Sequence, residues 1–392
     1  MRCRAKSTAR CGTRCATTSR SRPPSRSLLQ RKAYLDWLRG VAVIVMVGAH
    51  VTDAWTRLDD RGRELYGLAI FIAGFATPLF LFLAGLTLTL SASSRAAALG
   101  HRAAAAVARR RALQIFVLAF LFRLQAQLLG WGPLSNIFKV DILNVMGLAM
   151  LAAAIIWRWS ANRAVRIALF ATATTLVAMA TPLVRDAAII GALPDAVEAY
   201  LRPPAGRTTF ALFPWSAFLF GGTIAGELIY VMHQPEHERR LQRLFAVAGV
   251  VVALIAYALS FRPSIYRNAD FWTSSPTFFF IRLGVNTTLL PIAWWITEFH
   301  AFVRRHLATA PDVPGRVITT LGRSSLFVYW IHVEMAYGLI SLPLHRALPT
   351  ELSLLGTVLL CALLYGIVRL KDRLMQGVTL TGPLRILSPV LR

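Results

Sequence analysis

The sequence predicts an all-α integral membrane protein built as a bundle of about ten transmembrane helices. Of its 392 residues, 56% are hydrophobic and only 16% are charged, whereas charged residues make up about a quarter of a typical soluble domain. The mean hydropathy is +0.55. The formal net charge of +25 does not indicate a nucleic-acid partner, because the basic residues lie between long apolar runs and not in one patch. We therefore expect membrane lipid to surround the helix bundle.

The chain begins with a segment of different composition. Residues 1–30 contain eight lysines or arginines, no acidic residue and few apolar residues, which predicts a disordered basic tail. The segment has no apolar core typical of a signal peptide. Residues 31–392 are predicted to form one transmembrane domain.

Ten apolar runs are long enough to cross a bilayer. The hydrocarbon core is about 30 Å thick and a helix rises 1.5 Å per residue, so that roughly 20 residues span it. The runs lie at about 35–55, 67–91, 112–130, 142–159, 165–183, 209–230, 244–261, 278–299, 325–344 and 352–370.

The distribution of basic residues predicts the orientation. If the N-terminus is cytoplasmic, 31 of the 43 lysines and arginines fall in cytoplasmic segments and 10 in the opposite loops. Cytoplasmic loops carry such an excess in multi-pass proteins. The prediction is therefore a multi-pass protein of the cell membrane with both termini in the cytoplasm.

The first span carries an unusual set of ionisable residues. Asp36, Arg39, His50, Asp53 and Arg57 share one face of the predicted helix. Ionisable groups at membrane depth are costly unless they are paired or face a polar cavity, so this stripe indicates a functional site inside the bundle. An alternative is that the first two form an interfacial ion pair and the others mark the opposite end of the span.

His50 and Asp53 are spaced i, i+3 and can touch on a helix. A carboxylate that holds one imidazole nitrogen leaves the other free to act as a base near neutral pH. Acyl transfer to a hydroxyl or an amine needs such a base. Both residues are therefore candidate catalytic residues, together with Asp36 and Arg39.

Further polar residues interrupt later apolar runs. Arg123 is predicted to pair with Asp141, either as a polar wall of the same cavity or only as a tie between the third and fourth spans. Asn144 follows Asp141 in the fourth span. His332 in the ninth span is a candidate for substrate binding, with helix packing as the alternative.

Arg109, Arg110 and Arg111 end the second cytoplasmic segment. Guanidinium groups match phosphate oxygens, so this cluster is a candidate site for the phosphates of a nucleotide-containing donor. The alternative is an ordinary topology signal. No spacing typical of a metal site occurs, and no metal is predicted. Phosphate-binding loops, serine-hydrolase elbows and dinucleotide fingerprints are also missing from the sequence.

Four segments carry a family resemblance. They resemble the heparan-α-glucosaminide N-acetyltransferase-like membrane family and read Y-L-D-W-L-R-G with His50 about ten residues later, P-L-F-L-F-L-A-G, R-R-R-A-L-Q-I-F and K-V-D-I-L-N-V-M-G. L-G-R-S-S-L-F-V-Y-W-I-H resembles a late helix of the broader transmembrane acyltransferase superfamily. The resemblance covers most of residues 31–340.

This resemblance implies an enzyme that takes an acyl group, typically acetyl, from cytoplasmic acyl-CoA and delivers it to a sugar or similar acceptor facing the other side. It implies that His50 is the base, that Asp36 and Arg39 are the first-helix motif pair, and that Asp141 and Asn144 form the fourth-span motif. A secondary transporter or a saccharide or lipid flippase is the alternative, because transporters also use intramembrane charged residues. The sequence predicts no oligomeric state.

Overall fold

The computed structural model describes residues 32–130, 137–203, 210–232, 234–307, 313–378 and 382–391. In these ranges the chain is almost entirely helical, and the only strand-like pairing is an isolated bridge between Thr56 and Leu348. The predicted tail, residues 1–30, lies outside the described residues. Eight of the described helical segments are long and apolar enough to cross a membrane, which confirms the all-α polytopic class.

Up to Tyr230, the described residues form nine α-helices, of which two are short. They are α1 (Ala33–Trp55), α2 (Glu64–Ala73), α3 (Ala76–Leu99), α4 (His101–Gly130), α5 (Ile142–Trp159), α6 (Arg163–Asp186), α7 (Ala188–Gly191), α8 (Asp195–Leu201) and α9 (Leu212–Tyr230).

From Pro235 onward, the described residues form six further α-helices, with short 3-10 helices at Leu339–Leu344 and Gly382–Leu387. The α-helices are α10 (Pro235–Ser260), α11 (Pro276–Leu307), α12 (Val313–Arg323), α13 (Ser325–Tyr337), α14 (Thr350–Leu374) and α15 (Ser388–Leu391).

Two predicted spans are interrupted. The second consists of α2 and α3, which meet at Gly74 and Phe75. The ninth span is predicted over 325–344, but its α-helix, α13, ends at Tyr337. Gly338 leaves helical geometry there, and the following 3-10 helix contains Pro343, which has no N–H for a helical hydrogen bond.

Helix α1 lies in the interior of the bundle. It contacts α3, α11, α12, α13 and α14, and Val43, Val47 and Val51 on it are fully buried. Helix α10, in contrast, exposes most of its apolar side chains. Because these helices surround α1, most of its residues are buried, whereas the side chain of Asp53 near its C-terminal end is half-exposed.

Two glycines let α1 and α12 approach at backbone distance. A Cβ atom on Gly40 would lie 1.9 Å from the carbonyl oxygen of Ile318, and one on Gly322 would lie 1.9 Å from that of Asp36. Small residues at helix interfaces allow this approach in membranes, where close van der Waals packing drives helix association. The approach brings Arg323, the last residue of α12, next to α1.

A polar cluster joins the α1–α2 loop to the start of α14. The buried Asp60 carboxylate accepts a hydrogen bond from the backbone N–H of Thr350 at 3.1 Å and forms ion pairs with Arg57 at 3.2 Å and Arg63 at 3.5 Å. Burial raises the pKa of Asp60, but the Thr350 hydrogen bond and the two arginines outweigh it and hold that pKa below its ordinary value. The cluster therefore stabilises this end of the bundle only while Asp60 is ionised.

Candidate functional site

Two imidazoles meet inside the bundle near the end of α1 that lies away from its N-terminus. The ring centroids of His50 on α1 and His332 on α13 are 5.2 Å apart, with an interplanar angle of 43°. Tyr337, at the end of α13, lies with its ring centroid 5.5 Å from that of His50. These residues and Asp53 are called the histidine cluster below.

Tyr337 connects His50 to Asp53. Its hydroxyl donates to Oδ2 of Asp53 at 2.7 Å and lies 3.3 Å from Nδ1 of His50. Since the hydroxyl proton goes to the carboxylate, the hydroxyl oxygen is free to accept from the Nδ1–H of His50. In the structure the Tyr337 hydroxyl therefore bridges the carboxylate of Asp53 and Nδ1 of His50, and Nε2 of His50 takes no part in this bridge.

His332 is fully buried and held in one orientation. Its Nδ1 lies 2.9 Å from the carbonyl oxygen of Val328, one helical turn earlier. A carbonyl oxygen only accepts, so Nδ1 carries the proton and Nε2 has a free lone pair. Among the described residues, that Nε2 has no hydrogen-bond partner. A buried polar atom without a partner is costly, which indicates a place for a ligand donor.

The predicted pair of Arg123 and Asp141 is present. Nη2 of Arg123 lies 3.5 Å from Oδ2 of Asp141, and the Tyr329 hydroxyl donates to the same oxygen at 2.9 Å. The Tyr329 ring centroid lies 5.7 Å from that of His332. The pair is thus joined to the histidine cluster through Tyr329 and does more than tie two spans together.

Asp141 and Asn144 also form the N-terminal cap of α5. Oδ1 of Asp141 accepts from the N–H of Ile142 at 2.7 Å, and Oδ1 of Asn144 accepts from the N–H of Asp141 at 3.0 Å. The Asn144 amide group donates to the Tyr200 hydroxyl at 3.4 Å. This reciprocal cap fixes the carboxylate of Asp141 where it meets Arg123 and Tyr329.

Asp36 and Arg39 lie far from His50, although all three share a helix face. Eleven residues separate Arg39 from His50, which corresponds to about 16 Å along the helix. Asp36 pairs with Arg323 through an Nε to Oδ2 distance of 3.3 Å, and Arg39 donates to the Thr87 hydroxyl at 2.7 Å. The structure therefore does not bring these two predicted catalytic residues into the histidine cluster.

Arg39 belongs instead to a cavity of about 930 Å³ between α1, α3, α4, α5, α13 and α15. Three further arginines, Arg95, Arg110 and Arg111, line it. Arg109 is not among the lining residues that the structure describes. The predicted cluster of three arginines therefore divides: two of them reach the cavity, here called the basic cavity, and the first does not.

The basic cavity combines cationic and apolar walls. Its apolar side chains include Ile115, Met146 and Met150, and Ser325 and Leu326 at the start of α13 also line it. His332 follows Leu326 on the same helix by less than two helical turns, or about 9 Å of rise. The cavity thus borders α1 and α13, the two helices that carry the paired imidazoles, whereas the residues of the histidine cluster are not among its described lining residues.

Sequence reasoning missed a buried ion pair at the far end of α5. Glu227 on α9 is fully buried and accepts from Arg166 through two hydrogen bonds of 2.9 and 2.7 Å. Trp157 donates to the same carboxylate at 2.8 Å. Glu227 is an isolated acid in the sixth apolar run, and that signal was sufficient to find it. Because these hydrogen bonds satisfy it, we assign it a structural role.

The fold and site define a multi-pass membrane protein with a polar site inside its helix bundle and an arginine-lined cavity that borders two of the same helices. The family model described as heparan-alpha-glucosaminide N-acetyltransferase, catalytic, matches residues 31–260, and the chain belongs to this family. This membership confirms the predicted resemblance and indicates a transmembrane acetyltransferase. A search among curated proteins finds no significant match. The matched part includes His50, Asp141 and the basic cavity's arginines, whereas His332 and Tyr337 lie beyond it.

Proposed function

We propose that this protein transfers an acetyl group from acetyl-CoA, bound in the basic cavity, to a hydroxyl or amine of a sugar-like acceptor held at the histidine cluster. One observation carries the proposal: an arginine-lined cavity borders α1 and α13, the two helices whose paired imidazoles use Nδ1 for hydrogen bonds and keep Nε2 for a substrate. The family membership supports the acetyl group as cargo.

The basic cavity suits the two chemical parts of acetyl-CoA. Arg39, Arg95, Arg110 and Arg111 provide guanidinium groups that pair with the phosphates of the nucleotide end. The apolar walls suit the uncharged arm that ends in the thioester. A donor bound in this direction presents its thioester to the histidine cluster.

The histidine cluster supplies the base. Nε2 of His50 takes the proton of the acceptor hydroxyl or amine while the acceptor atom attacks the thioester carbonyl carbon. The carbon–sulfur bond then breaks, and the thiolate of CoA leaves and takes the proton from the imidazolium. Tyr337 and Asp53 stabilise the imidazolium through Nδ1, as a carboxylate does in other His-based sites. Nε2 of His332 accepts a hydrogen bond from the acceptor.

The direction of transfer follows from the charge distribution. The arginine end of the cavity lies at the N-terminal end of α1, which the positive-inside rule assigns to the cytoplasm. Acetyl-CoA would then enter from the cytoplasm, and the acceptor would meet the histidine cluster from the other side of the cell membrane.

Donor binding is tested with paired arginine variants. R110Q/R111Q should weaken acetyl-CoA binding by roughly tenfold or more at low ionic strength, with a smaller effect at high salt. The control is R102Q/R240Q, which removes two exposed arginines that do not line the basic cavity. Calorimetry on the purified protein in nanodiscs measures both. An equal loss of acetyl-CoA affinity in the two double variants would mean that the arginines act only through the general charge of the protein, and it would contradict the proposed donor site.

The chemical step is tested with His50→Ala. The variant should lower the rate of acetyl transfer to glucosamine by roughly two to four orders of magnitude, the usual contribution of a positioned base, with acetyl-CoA binding nearly unchanged. Release of free CoA thiol is the readout. A folded variant that works at the wild-type rate would refute the role of His50. Wild-type protein that binds acetyl-CoA without ever releasing CoA would favour a transporter.

A further inference from the structure

A second cavity, of about 530 Å³, lies between α10 and α11 and shares no lining residue with the basic cavity. Three arginines, Arg239, Arg243 and Arg305, line it together with one carboxylate, Glu298. We propose that this cavity, the α10–α11 cavity, binds the phosphate headgroup of an anionic phospholipid. The proposal does not depend on the proposed acetyl transfer.

The α10–α11 cavity lies at the depth of lipid headgroups. Helix α10 ends at Ser260 and α11 begins at Pro276, so the two helices share one end of the bundle. Two lining residues, Arg239 on α10 and Trp295 on α11, each lie about 20 residues from that shared end. This distance is a helical rise of about 30 Å, which equals the thickness of the hydrocarbon core. Trp295 is 70% exposed, and tryptophan is enriched where hydrocarbon meets the polar region.

A buried amide in the cavity has unused hydrogen-bonding groups. Gln242 is only 2% exposed and lines the cavity. Its side chain interacts with the neighbouring Tyr34 hydroxyl, which leaves other donor and acceptor positions of the amide without a partner among the described residues. Buried amide positions without partners cost free energy until a ligand satisfies them. The NH₂ group of Gln242 suits a phosphate oxygen, and its carbonyl suits a headgroup hydroxyl.

The charge of the cavity selects an anion. Three guanidinium groups outnumber the single carboxylate of Glu298, and arginine pairs well with phosphate. Basic pockets between transmembrane helices on the cytoplasmic side are typical sites for anionic headgroups.

The surface beside the cavity selects a lipid and not a soluble phosphate. Val247, Val250 and Leu254 are 62%, 45% and 60% exposed and continue along α10 from the lining residues. This apolar surface lies toward the centre of the membrane, where acyl chains attached to a headgroup in the cavity would extend. A free phosphate would gain nothing from these side chains.

The test compares lipids and matched variants by native mass spectrometry of the full chain in lipid-free detergent. Phosphatidylglycerol should remain bound, and phosphatidylcholine at the same concentration should not. R243Q/R305Q should lower the apparent affinity for phosphatidylglycerol roughly tenfold. The control R240Q/R304Q removes one neighbouring exposed arginine from each helix, neither of which lines the cavity, and should change it less than threefold.

Three results would overturn the proposal. They are equal retention of the two lipids, an equal loss of affinity in the lining and control variants, and displacement of phosphatidylglycerol by glycerol phosphate at matched concentration. The last result would mean that the cavity binds a soluble phosphate and that the α10 surface contributes nothing. Gln242→Leu gives a second measurement, because it keeps the size and the arginines but should weaken phosphatidylglycerol binding about threefold or more through the lost hydrogen bonds.

Discussion

Tyr337→Phe removes one oxygen atom and isolates the connection between His50 and Asp53. The hydroxyl donates to Asp53 at 2.7 Å and lies 3.3 Å from Nδ1 of His50, so the variant leaves the imidazole without its orienting partner. Hydrogen bonds to charged groups contribute about 1.5–3 kcal/mol. Tyr337 is 40% exposed, and water replaces part of the loss. We therefore expect about 1–2 kcal/mol, or a roughly 5- to 30-fold lower kcat.

The assay is the rate of CoA thiol release with acetyl-CoA and glucosamine, measured for single and double variants. Because Tyr337 is a positioning residue that acts through His50, the double variant His50→Ala/Tyr337→Phe should be no slower than His50→Ala alone. KM for acetyl-CoA should not change, since the donor is bound elsewhere. Tyr266→Phe is the control, because it removes a hydroxyl that donates to the Met179 carbonyl at 2.7 Å, remote from the cluster.

The result that would refute this reasoning is an additive loss. If Tyr337→Phe slowed the reaction as much in the His50→Ala background as in the wild type, the hydroxyl would act on the substrate or on the fold and not on His50. A wild-type rate in Tyr337→Phe would equally contradict the orienting role.

The remaining predictions concern stability and orientation. Gly40→Ala should destabilise the protein by about 1–3 kcal/mol, because the new Cβ would lie 1.9 Å from the Ile318 carbonyl oxygen, and thermal unfolding in detergent measures the loss. Asp60→Asn should lower Tm at neutral pH. The pKa of Asp60 is lower in the folded state than in the unfolded state, so its stabilising contribution is present above the unfolded value of about 4 and is lost as pH falls through the lower folded value. The Tm values of the variant and the wild type should therefore converge only in that acidic range. For orientation, a cysteine at Ser264 should react in intact cells with an impermeant thiol reagent and one at Arg102 should not, and the reverse pattern would overturn the assigned topology.

The sequence was sufficient to predict the transmembrane class and part of the polar site. Long apolar runs identify membrane helices because backbone hydrogen bonds must be satisfied within each segment. Arg123 and Asp141 were predictable as a pair because each interrupts an apolar run and a short loop separates their spans. Such signals depend on local composition, which a single sequence contains.

The contacts that complete the site depend on distant parts of the chain. Tyr337 meets His50 only because α13 packs against α1, and no spacing along the chain encodes that distance. The separation of Arg39 from His50 is different, because the helical rise already places them about 16 Å apart. Arg39 and His50 share a helix face, but a common face does not place two residues in one site when the helical rise separates them this far. For Arg109 the deciding fact is which face of α4 borders the cavity, and neighbouring helices determine that.

In the proposed function, helix α1 carries a donor-binding residue and the catalytic base on one rigid element. Arg39 contributes to the cationic end of the basic cavity and His50 to the histidine cluster. Because about three helical turns fix their separation, a donor held at its phosphates presents its thioester at a constant depth in the bundle. The remaining alignment must come from α13, which supplies Tyr337 and His332. Since α13 adjoins α12, and α12 touches α1 through Gly40 and Gly322, a disturbance of that contact should misalign the imidazoles as well as lower stability. Loss of kcat in Gly40→Ala beyond the fraction of unfolded protein would therefore be the sign that this glycine contact positions the site.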